Sequence, residues 1–82
     1  MAFIITVDHI NEGENNGYKY AKNEALLEKC IIPFRMYDDD DILYYEGLGN
    51  NSNSFQPLDL FGTPNDGCTW IEYFENGKWE QL

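Results

Sequence analysis

Apolar and polar positions alternate from the first residues of this chain. Phe3, Ile5, Val7 and His9 point one way; Ile4, Thr6, Asp8 and Ile10 point the other. Both sets begin apolar, so residues 2–10 are predicted to form a central strand. Residues 11–17 (NEGENNG) are a polar loop. Residues 18–30 are predicted as the only helix, capped by Asn15 or Asn16. Tyr20, Leu26, Leu27, Cys30 and Ile31 then share one side of the helical wheel. Asn23 is an alternative start, leaving a shorter helix over 24–30.

Two hairpins follow. Residues 31–37 and 42–47 alternate around the loop Asp38-Asp39-Asp40-Asp41. With a four-residue loop, Tyr37 faces Ile42, Met36 faces Leu43 and Arg35 faces Tyr44. Phe34, Met36, Leu43 and Tyr45 are assigned to the core, and Arg35, Tyr37, Ile42 and Tyr44 to the opposite face. Residues 68–75 and 78–82 form the second hairpin around Asn76-Gly77, a type I′ signal. That turn sets Glu75 against Lys78 and Phe74 against Trp79. Trp70, Phe74 and Trp79 share one face; Ile71, Tyr73 and Leu82 share the other.

Between the hairpins, residues 48–67 carry many turn formers. Phe55, Leu58, Leu60 and Phe61 are too apolar for a free linker, so a packed-down loop is expected, with a short helical turn near 57–60. The order is β-α-β-β-loop-β-β. The fold class predicted is α+β: one helix on a mostly antiparallel sheet of four to five strands, in a single domain over residues 1–82.

Charge narrows the classes of partner. Fifteen Asp and Glu stand against five Lys and Arg, a formal charge of -10 on 82 residues. Such a field repels nucleic acid and anionic membrane and attracts basic surfaces. The hydrophobic content of 43% argues for a folded chain despite that charge. Cys30 and Cys68 are read as reduced thiols, with a single disulfide between them as the alternative. The first residues have no basic or long apolar leader pattern, so an unprocessed, cytoplasmic protein is expected.

The candidate chemistry is sparse. From Asp38, a calcium loop needs oxygen ligands at its fifth position and glycine at its sixth, but Ile42 and Leu43 stand there. The aspartate run is therefore either a solvated hairpin tip or an acidic knob for a partner. His9 and Cys68 have no spacing that requires them to meet, and surrounding carboxylates disfavour a thiolate. No Cys or His pair has zinc-ligand spacing. Asp59, Asp66, Glu72, Glu75 and Glu80 read as solvated carboxylates rather than an acid–base pair. No glycine-rich phosphate loop and no basic patch exists. No catalytic residue, metal or cofactor is predicted.

The stretch from Pro57 to Thr69 (PLDLFGTPNDGCT), with Tyr44-Tyr45-Glu46-Gly47 before it, resembles short uncharacterised bacterial proteins of the phage and mobile gene-cassette type. In size, charge and architecture the chain is also similar to anti-CRISPR and DNA-mimic proteins. Neither resemblance assigns a role to any residue.

The leading expectation is a non-enzymatic acidic protein that docks on a basic surface of a protein partner, as a nucleic-acid mimic or inhibitor does. Its candidate contacts are Asp38, Asp39, Asp40, Asp41, Glu46, Glu72, Glu75 and Glu80, with Tyr37 and Tyr44 supplying apolar contact and Arg35 completing a hot-spot patch. The alternatives are a homodimeric interaction module joined through Tyr37 and Tyr44, and a small-molecule-binding domain with a pocket between the long loop and the sheet.

Overall fold

Asn76 and Gly77 both take positive φ, 55° and 79°, the backbone of a type I′ turn. They close the hairpin of β5 (Trp70–Glu75) and β6 (Lys78–Gln81) in the expected register, Phe74 against Trp79 and Glu75 against Lys78. The computed structural model describes residues 1–82. Its other strands are β1 (Ala2–Asp8), β2 (Lys19–Ala21), β3 (Ile32–Tyr37) and β4 (Leu43–Gly49). All six form one sheet in the order β2-β1-β4-β3-β5-β6, with every neighbouring pair antiparallel. The α+β class and the antiparallel sheet are therefore as the sequence implied, with a sixth strand added.

That strand is β2, inside the segment expected to be helical. Tyr20 pairs with Phe3 across the ladder, and their rings stack at 5.5 Å. The stretch becomes helical only after Asn23, whose side chain caps the Ala25 N–H at 3.0 Å. A 3-10 helix, Glu24–Lys29, follows and buries none of its residues. Asn23 is thus the true start of a short helix, and the long helix over 18–30 does not form.

The cover of the core comes from the other side of the chain. Residues 56–66 are helical, with a π-helical turn over Leu58–Gly62 and an α-turn over Thr63–Asp66. Leu58 and Phe61 are buried beneath it; Phe55 and Leu60 remain exposed. They pack with Phe3, Ile5, Phe34, Met36, Tyr45, Cys68, Ile71 and Tyr73 into one core on one face of the sheet. The body is only 18 Å through its thinnest axis, as expected of one sheet and one covering layer. No helix is long and apolar enough to cross a membrane.

Two irregularities shift the faces. The β1–β4 register slips between Ile5 and Val7, so Val7 turns outward and Asp8 inward, where only 5% of it is exposed. The β3–β4 register slips between Met36 and Tyr37, leaving Tyr44 as the extra residue of a bulge. The turn is also wider than four residues, closed by the Asp38 N–H donating to the Ile42 carbonyl. Met36 consequently meets Tyr45, Arg35 meets Glu46 and Tyr37 meets Leu43. Leu43 lies opposite the core, not in it, and the expected Arg35–Tyr44 pair is absent.

Candidate binding face

Alternation along the strands gives the sheet a second face, which the helical segment does not reach. From the stretch between the hairpins, Leu58 and Phe61 pack into the core on the other face. In its β4-β3-β5-β6 half, the cross-strand register builds rows of side chains. Leu43, Tyr37 and Trp70 form one row; Glu46, Arg35, Glu72 and Gln81 form the next. Phe74 and Trp79 meet edge to face at 5.3 Å.

The rings and the acids are joined here. Tyr37 and Trp70 stack with centroids 4.1 Å apart and planes at 8°. The Tyr37 hydroxyl donates to Glu72 at 2.5 Å, and the Trp70 indole N–H donates to Asp41 at 3.0 Å. Burial and the Glu72 carboxylate push the Tyr37 phenol up to about 12, so it remains a donor at neutral pH. The Arg35 guanidinium lies 4.1 Å from the centre of the Trp79 ring. Its Nε is 3.4 Å from Glu46, whose other oxygen is 2.7 Å from His9 Nε2.

Of the residues expected to contact a partner, Arg35, Tyr37, Glu46 and Glu72 share this face, and Asp41 is tied to its edge. Asp39 and Asp40 are exposed at the neighbouring tip. Asp38 has a structural duty: its carboxylate accepts the Asp40 and Ile42 N–H groups at 2.9 Å, and these bonds, led by Ile42, hold it below the usual carboxylate range.

Three expectations are corrected. Tyr44 packs against the core cluster and its hydroxyl lies against Asp38, which raises its pKa; the bulge removes it from the open face. Glu75 and Glu80 belong to the opposite face, because Glu80 pairs with the core residue Tyr73. The acids as a whole are not one-sided: Asp66, Glu75 and Glu80 stand on the helix side. What the open face adds is a stacked ring pair, Tyr37 on Trp70, joined to carboxylates.

Trp70, Phe74 and Trp79 complete the face although the sequence did not mark them as contacts. The Asn76-Gly77 register already groups them. What it does not reveal is that β5 joins β3, which brings Trp70 onto Tyr37.

The remaining chemistry is quiet. Asp8 accepts the N–H groups of Ile10, Asn11 and Asn15 and the Asn15 amide. Burial pushes its carboxyl up, but those bonds outweigh burial and hold it low. Tyr45 donates its hydroxyl to Asp66. The larger surface cleft, about 240 Å³, is lined by Asn11, Glu14, Asn15, Asn65 and Asp66; with no apolar wall it offers an organic ligand little to bury against. Cys68 is buried, and desolvation followed by the Asp66 charge pushes its thiol up to about 12, the opposite of an activated nucleophile. His9 sits by Glu46 on the other side of the sheet, so the two do not form a pair. No His, Cys, Asp or Glu cluster has the make-up of a metal site.

No family model, curated protein or solved structure matches this chain.

Proposed function

We propose that this is a non-enzymatic binding protein whose open sheet face docks on a basic surface of a protein partner. One observation carries the reading: a face of stacked Tyr37 and Trp70, with Phe74 and Trp79 beside them, lies on the side away from the core, with Asp41, Glu46 and Glu72 next to it. Tyr, Trp and Arg at the centre of a patch are the residues that dominate interface energies. Their rigid rings lose little entropy on contact. The carboxylates supply long-range attraction and orientation, and the net charge of -10 speeds encounter with a cation.

The test is calorimetric titration with basic test proteins over a salt series. The reading expects affinity to fall steeply as salt rises, and Trp70→Thr to weaken binding in a protein that still folds. Salt-independent binding, or binding unchanged by Trp70→Thr, contradicts it.

A further inference from the structure

Resting on that basic-partner reading, we infer that the open face is selective for arginine over lysine, and takes the partner's guanidinium groups on the Tyr37–Trp70 stack between Asp41 and Glu72. The chain contains its own example of the contact. Arg35 lays its guanidinium over the Trp79 ring at 4.1 Å while its Nε reaches Glu46 at 3.4 Å. A ring face with a carboxylate at its border suits a flat, delocalised cation that stacks and hydrogen-bonds at once. An ammonium, strongly hydrated and without a flat face, gains less there.

The same combination recurs beside it, where Arg35 is the neighbouring cation but forms its ion pair with Glu46. Trp70 and Tyr37 present stacked rings, bordered by Asp41 and Glu72. Both carboxylates accept from neutral donors only, and neither forms an ion pair: Arg35 pairs with Glu46 and Lys78 with Glu80. Those bonds use Asp41 Oδ1 and Glu72 Oε2, which leaves Asp41 Oδ2 and Glu72 Oε1 for a further donor. Arg35 is the sole Lys or Arg on this half of the face, since Lys78 pairs with Glu75 on the core-side register. Charge complementarity therefore selects a cationic occupant, and ring geometry selects arginine. A second copy of this chain would bring like charge to the same place.

The experiment titrates the folded chain with oligo-arginine and oligo-lysine of equal length at one ionic strength, following tryptophan fluorescence. Oligo-arginine should bind about ten-fold more tightly. Trp70→Thr should abolish most of that difference, and Glu72→Gln, which preserves shape, should weaken oligo-arginine binding several-fold while circular dichroism stays unchanged. Equal affinity for both peptides overturns the arginine inference and leaves the basic-partner reading standing. A preference for arginine that survives both substitutions also overturns it, since the contact then lies elsewhere. Binding of neither peptide overturns both proposals. Concentration-dependent self-association that buries these tryptophans assigns the face to a second copy and overturns the inference.

Discussion

Tyr37 lies flat on Trp70 across the β3–β5 ladder, 4.1 Å between ring centres, and each ring donates its polar hydrogen to a different carboxylate. The pair connects the acidic turn to the sheet: Asp41 is held by the indole and Glu72 by the phenol. An aromatic contact between strands distant in sequence thus adds to the hydrogen bonds of Asp38 that already order the tip.

That coupling is measurable. In a double-mutant cycle of Tyr37→Leu and Trp70→Leu, chemical denaturation should show a favourable interaction of about 1 kcal/mol. Additive effects of the two substitutions would mean that the stack does not stabilise the fold.

Gly47 should tolerate no side chain. It sits in β4 opposite both Ile5 and Phe34, and an added Cβ would overlap the Phe34 ring and the Ile4 carbonyl. Gly47→Ala is expected to cost about 1–3 kcal/mol through overpacking, read as a lower denaturation midpoint. An unchanged midpoint would show that Phe34 can move aside.

Both hairpins are legible as strand pairs, but only the second keeps its expected register. Asn76-Gly77 sets one register, and the alternation of Phe34 and Met36 sets the inward face of the other strand pair. Of the covering helix the sequence announces only the short turn near 57–60, and its continuation to Asp66 is hidden for a physical reason. Pro57, Gly62 and Pro64 look like breakers, yet Pro57 sits where the first helical N–H groups have no partner anyway. The wide π-turn, in which the Thr63 N–H reaches back to the Leu58 carbonyl, precedes Pro64. Conversely, residues 18–30 carry a helical stripe, but Tyr20 joins the sheet and stacks on Phe3. The bulges at Thr6 and Tyr44 leave no sequence mark, so the faces beyond them were misassigned. The open face was half legible: Arg35, Tyr37, Glu46 and Glu72 were marked, while its tryptophans waited on the β3–β5 pairing.

Asp8 makes the 9–17 loop sensitive to acid. Its carboxyl titrates below the ordinary 3.8 in the fold, so the folded state favours the charged form. The stability it contributes is full above the unfolded pKa and is lost as pH falls through the lower, folded value. Hydrogen exchange at the Ile10, Asn11 and Asn15 amides should accelerate relative to the core in that acid window. Asp8→Ala should remove about 2–3 kcal/mol at neutral pH, since four charge-assisted bonds go with it. Unchanged protection would show that the loop is held by other contacts.

Neither cysteine should react in the native state. Cys30 and Cys68 are buried and unpaired, and burial is the main cause raising both thiols. Alkylation at neutral pH should require unfolding, with rates that track denaturant. Rapid labelling of native Cys68 would show an opening beneath residues 56–66.

The most direct measurement of the central claim is a nuclear magnetic resonance titration with oligo-arginine at low and high salt. The account predicts shifts in the indole N–H signals of Trp70 and Trp79 and in the amides of β3 and β5, all suppressed by salt. Shifts centred on Leu58–Asp66, or spread evenly over every acidic surface, would contradict it.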